Sequence, residues 1–171
     1  RAFELGKRMH EGQTRKSGEP YFTHPIAVAR LLATWKADKD TIIAALLHDT
    51  IEDTPATLAL LKKEFGPTVE MLVDGVTKLN YQDVEASPSL NERVETLRKM
   101  FTLMQEDIRM MVIKLADRLH NMQTIEFRSP NKQKTVAQET LDIYMKIADR
   151  LSMFDVSDEL EALCMAEIGR A

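Results

Sequence analysis

At 171 residues the chain fits one domain, long enough to bury roughly 70% of its extended surface without covalent staples. Its single cysteine, Cys164, excludes a disulfide framework and a thiolate zinc site, and suits a reduced, cytoplasmic setting. A net charge of −4 argues against general nucleic-acid binding, and no apolar run approaches the roughly 20 residues of a membrane span, so an anionic ligand would need a local basic cluster.

Helical periodicity runs through nearly the whole chain, and Gly and Pro fall mostly between periodic segments. The pattern predicts helices over 1–11, 25–36, 40–53, 56–65, 67–78, 90–106, 107–126, 132–151 and 156–168. Between the first two lies a basic, Gly-bearing loop, Arg15-Lys16-Ser17-Gly18-Glu19-Pro20. It leads to His24, which precedes Pro25 and is therefore expected in extended backbone.

The third segment carries the strongest signal. The apolar run Ile43 to Leu47 passes straight into His48-Asp49, followed by Glu52-Asp53. Burying unpaired charges costs about several kcal/mol, so packing alone does not end a helix this way. As one helix, 40–53 would stack His48 on Glu52 and Asp49 on Asp53. Thr54-Pro55 reads as the cap and first residue of the next helix, and Phe65-Gly66-Pro67 as a stop and restart. Residues 80–90 form the long polar segment, expected to be a flexible loop and a candidate lid. A second cluster, Lys114 to Met122, follows the apolar run Met110 to Ile113. On a helix Asp117, Asn121 and Thr124 share one face, while His120 is expected to point elsewhere. The ten methionines read as adaptable core filler.

His24, His48, Asp49 and Asp117 together make a mixed nitrogen and oxygen donor set that suits manganese, iron or zinc. Four protein ligands favour Mn(II), which expands its coordination more readily than tetrahedral zinc. An ion held there would lower the pKa of water. Glu52 and Asp53, one turn further on, are candidates for positioning that water or protonating a leaving group. Each feature alone has an ordinary explanation: a surface His-Asp pair, a satisfied core histidine at His48, a solvated loop at Arg15-Lys16. Asp117-Arg118 alone would be an exposed ion pair worth about 0–1 kcal/mol. Taken together they favour a metal site, because each imidazole or carboxylate cluster closes a strongly apolar helical run.

With those residues in place, the chain resembles the HD superfamily of metal-dependent phosphohydrolases, and more narrowly the hydrolase domain of RelA/SpoT-type alarmone enzymes. The resemblance runs through His10 to Tyr21, Thr23-His24-Pro25, Ala44 to Thr54, Gly75 to Leu79, Arg98-Lys99-Met100, Lys114 to Thr124 and Glu139 to Tyr144. It implies an all-α fold, an HD-domain helical bundle of about 8–10 helices forming a single domain over 1–171, and one Mn(II) ion. His24, His48, Asp49 and Asp117 match the family's metal ligands, and Glu52 and Asp53 its hydrolytic pair. Arg15 and Lys16 match the loop that packs on the guanine base, and Asn121 and Thr124 match positions lining the nucleoside pocket. The implied reaction removes the 3′-pyrophosphate of (p)ppGpp, giving GDP or GTP plus pyrophosphate. Lys78, Arg98 and Lys99 are further candidates for phosphate contacts. The partner is then a guanine nucleotide, with neither nucleic acid nor membrane.

The chain departs from the long bifunctional enzymes at Met145 to Ser152, where they typically read Ala-Pro-Leu-Ala-Asn-Arg-Leu-Gly, and at Gln138, where Arg is frequent. With nothing resembling a synthetase domain, it reads as a stand-alone small alarmone hydrolase, with an excised domain of a longer enzyme as the other reading. Two functional alternatives stay open at this level: another nucleotide substrate for the same chemistry, or a catalytically silent module that senses (p)ppGpp. The Glu52-Asp53 pair argues against the silent module.

Overall fold

A computed structural model describes residues 1–80 and 90–169, and among them the regular structure is helical, with a single isolated β-bridge between Thr14 and Pro20 and no strand. The helices are α1 (Ala2–Met9), α2 (Thr23–Thr34), α3 (Lys39–Leu47), α4 (Thr50–Asp53), α5 (Leu58–Phe65), α6 (Pro67–Asn80), α7 (Leu90–Glu106), α8 (Arg109–Gln123), α9 (Pro130–Glu139), α10 (Met145–Arg150) and α11 (Phe154–Ile168). A 3-10 turn, Ile125–Phe127, follows α8, and a π-helical turn, Thr140–Tyr144, joins α9 to α10. The expected loop and lid over 80–90 falls almost wholly outside the described residues.

Helix α8 is the axis of the bundle. It packs against α2, α6, α7 and α11 and is buried along most of its length, Lys114, Asp117 and Arg118 included. Around it Leu32, Leu47, Leu61, Leu72, Ile113 and Leu119 form part of one continuous core. Met100, Met110, Met111 and Met122 fill that core, as unbranched thioethers do well. Gly6 brings α1 close to the site: a Cβ there would fall against Phe22, which caps α2, and against the Leu46 carbonyl of α3.

Three local expectations need correction. His24 is not in extended backbone but in the first turn of α2, whose cap position is Phe22. Pro25 also lies in that first turn, where its missing N–H costs no helical hydrogen bond. The segment 40–53 is not one helix. It breaks into α3 and α4 at His48-Asp49, although both residues keep αR backbone angles. Thr54 does not cap the next helix. Its hydroxyl donates back to the Thr50 carbonyl at 2.6 Å, and α5 is capped instead by Thr57, whose side chain accepts from the Leu60 N–H at 3.2 Å. No helix among the described residues is long and apolar enough to cross a membrane.

Candidate active site

The basic loop before α2 is tied into a fixed shape by its own backbone. The Arg15 N–H donates to the Glu19 carbonyl at 2.8 Å, the Gly18 N–H to the Arg15 carbonyl at 2.9 Å, and the Tyr21 N–H to the Gln13 carbonyl at 2.9 Å. The turn needs φ of +85° at Gly18, a conformation glycine adopts without steric cost. Arg15 then reaches across to α8, donating from one guanidinium nitrogen to Thr124 Oγ1 at 3.2 Å and lying 3.4 Å from His120 Nδ1 with the other.

Opposite this loop, α2, the α3–α4 break and α8 bring the acidic and imidazole groups together. His24, His48 and Asp49 each offer a donor atom, and these lie within 4.8 Å of one another. Asp117 joins them through His24, with Oδ1 at 3.0 Å from His24 Nε2. A carbonyl can only accept, so the 2.8 Å contact from His48 Nδ1 to the Ala45 oxygen fixes the proton on Nδ1 and leaves the lone pair on Nε2. That Nε2 is buried and lies 3.1 Å from Asp49 Oδ1 without the alignment of a hydrogen bond; it has no hydrogen-bond partner. A buried nitrogen lone pair beside a carboxylate and a second imidazole fits a divalent cation, since buried polar atoms otherwise find partners.

Asp117 stays ionised in this setting. Burial alone would raise its pKa, but the Lys114 ammonium at 2.9 Å holds it well below the usual carboxylate range. Asn121 donates to the same carboxylate at 2.6 Å. The Tyr21 hydroxyl lies 2.9 Å from Asp49 Oδ2 and 2.9 Å from Asp53 Oδ2, so one phenol spans a candidate ligand and a candidate acid. Burial, then the charges of Asp49 and Asp53, push its pKa far up and keep it a donor. Behind Tyr21, the His10 ring stacks on it at 4.8 Å, and Gln13 links His10 to the Asp53 carbonyl.

Tyr21, His24, Asp49, Asp53, Asp117 and Asn121 line one cavity of about 440 Å³. Every residue singled out for the site from sequence lines it except His48, which is fully buried. Lys78, Arg98 and Lys99 do not contribute to its described lining: Lys78 pairs with Asp74 at 2.6 Å, and Arg98 lies 3.7 Å from Glu95 on the surface. Sequence reasoning missed Tyr21, Phe127 and Arg128, which also line the cavity, and misjudged His120. The His120 ring does not point away. Its Nδ1 lies 2.7 Å from Nδ1 of His24, and burial, then the charges of His24 and Arg15, bring its pKa down to about 4. Its i,i+3 spacing from Asp117 was the available signal.

Comparison with known proteins points the same way. The family model described as HD domain matches residues 2–154. The chain is similar to a probable GTP pyrophosphokinase of Mycobacterium leprae, 51% identical over 97% of this chain and 21% of that protein. It is likewise similar to the bifunctional (p)ppGpp synthase/hydrolase SpoT of Escherichia coli, 48% identical over 95% of this chain and 23% of that protein. The chain thus spans about a fifth of the length of these curated relatives. Among solved structures it superposes on a metazoan ortholog of SpoT that hydrolyses ppGpp, with a TM-score of 0.72 and 26% identity, covering 98% of this chain and 93% of that one.

Proposed function

This chain belongs to the HD domain family, and on that premise we propose that its 171 residues form one domain that acts in the cytoplasm as a 3′-pyrophosphohydrolase of (p)ppGpp with one Mn(II) ion. The observation that carries the reading is the composition of the cavity, in which His24, Asp49, Glu52, Asp53 and Asp117 are joined by Arg15, Lys16, Asn121 and Thr124. That combination suits a guanine nucleotide whose phosphates approach a metal while its base and sugar meet the Arg15 loop and the end of α8. The relatives named for (p)ppGpp hydrolysis support the substrate.

In this reading His24, His48, Asp49 and Asp117 hold the ion. When bound, the ion supplies Lewis acidity, which makes water a nucleophile near neutral pH. Lys114 and Asn121 hold Asp117 ionised and oriented. Tyr21 fixes the Asp53 carboxylate against Asp49. Glu52 and Asp53 transfer protons: one is taken from the attacking water, and one is delivered to the ribose 3′ oxygen as its bond to phosphorus breaks and pyrophosphate leaves. Arg15 stacks its planar guanidinium on the purine, which a lysine ammonium does poorly. The bound nucleotide would compete with Thr124 and His120 for that guanidinium.

Incubation with Mn(II) and ppGpp, with products resolved by anion exchange, tests the reading. Release of GDP and pyrophosphate is expected, and no ppGpp should form from ATP and GDP with Mg(II). An intact, metal-loaded protein that leaves ppGpp untouched would overturn it.

A further inference from the structure

Two imidazole nitrogens 2.7 Å apart share a single proton, and which ring owns it decides what His24 can do. If His120 donated, neutral His24 would carry its own proton on Nε2, aimed at Asp117 and Asp49 and blocking the metal side. If His24 donates, its Nε2 keeps the lone pair a metal needs. The third neighbour decides between them. Arg15 presents a guanidinium nitrogen to the same His120 Nδ1 at 3.4 Å, and a guanidinium has donors only. A ring nitrogen turned toward a guanidinium is the lone-pair atom, so the shared proton belongs to Nδ1 of His24.

We propose that His120 is a positioning residue of the metal centre: its Nδ1 accepts the Nδ1–H of His24 and thereby turns the lone pair of His24 Nε2 toward the ion. His48 and His24 are then oriented by the same device with different acceptors, the Ala45 carbonyl for one and the His120 ring for the other. The rings of His24 and His120 lie 4.9 Å apart and tilted by 35°, so the contact is edge to edge through nitrogen rather than a stack. The same acceptor joins the Arg15 loop to the metal ligand, which places the base side and the phosphate side of the cavity on one chain of contacts.

This inference rests on the metal reading of the site but not on the identity of the substrate, so its test uses the metal alone. Mn(II) is titrated into substrate-free protein, and free ion is followed by electron paramagnetic resonance. His120→Ala should weaken Mn(II) binding by about 10–100-fold, the usual effect of removing the partner of a ligating histidine, while the melting temperature of the metal-free protein stays near wild type. His120→Asn, whose amide oxygen can occupy the acceptor position, should recover most of the affinity. Wild-type affinity in His120→Ala overturns the inference alone, whereas failure of the wild-type protein to bind Mn(II) overturns the metal reading with it. Nitrogen-15 NMR of the Zn(II)-loaded wild-type protein gives the answer even if the alanine variant does not fold. The proton should sit on Nδ1 of His24 and on Nε2 of His120, and the opposite tautomers would refute the proposal.

Discussion

Replacing Tyr21 by Phe removes one oxygen atom and leaves the ring stacked on His10. The hydroxyl lies 2.9 Å from both Asp49 and Asp53, but it has one proton, so it contributes one charge-assisted hydrogen bond rather than two. Such a bond is worth about 1.5–3 kcal/mol. The lower figure applies because Asp53 is exposed and can turn to water. A loss of about 1.5 kcal/mol in a domain of this size lowers the melting temperature by about 3–6 °C. The effect on turnover should be larger, because Asp53 loses the contact that fixes it against Asp49. A displacement of about 1 Å at a reacting group costs up to about 10²-fold in rate. Calorimetry of the metal-free protein, Mn(II) titration and steady-state kinetics on ppGpp separate the three quantities. The expected pattern is a modest fall in melting temperature, Mn(II) affinity within a few-fold of wild type, and kcat lowered by about 10–100-fold. Wild-type kcat in Tyr21→Phe would refute the positioning role.

Four further outcomes are expected. Glu52→Gln should keep the metal and bind ppGpp yet lose about 10²–10⁴ in rate, as measured by pyrophosphate release; undiminished turnover would remove Glu52 from proton transfer. Asp117→Ala should lose metal content by elemental analysis, and full occupancy would sink its assignment as a ligand. Arg15→Ala should raise KM for ppGpp while changing stability by no more than about 0.5 kcal/mol; a collapse in melting temperature would make the loop structural. Ser152→Gly should stabilise the fold by about 0.5–1 kcal/mol in urea titration, since Ser152 sits at φ of +56° after α10, where the left-handed conformation costs a non-glycine residue about 1–2 kcal/mol, partly offset by the greater chain entropy of glycine. Its N–H donates to the Asp149 carbonyl and the Met153 N–H to that of Ala148, the arrangement in which glycine is commonest, and an unchanged midpoint would count against the argument.

Helix order was legible because apolar period and Gly-Pro punctuation act locally; Gly66-Pro67 does separate α5 from α6 as read. The gathering of His24, His48 and Asp49 was legible for a different reason: charged groups at the ends of apolar runs have few other uses. The break at His48-Asp49 was invisible, since both residues stay in αR and the apolar pattern ends just before it. The π turn at Thr140–Tyr144 was equally hidden inside a continuous helical pattern. Tyr21 and His120 were missed because their roles depend on which segments meet across the bundle, and helical periodicity says nothing about a loop phenol or a ring reaching from α8 to α2.

The candidate ligands come from three separate stretches of chain: the start of α2, the α3–α4 break and the middle of α8. On the metal reading, an ion gripping all three is also a cross-link, closing two long loops that the unfolded chain leaves open. Mass action then ties folding to metal supply: at a free ion concentration a hundred times Kd the folded state gains about 2.7 kcal/mol. Scarcity of the ion would therefore leave the chain easier to unfold as well as idle, and chelation in a cell would shorten its lifetime along with its activity.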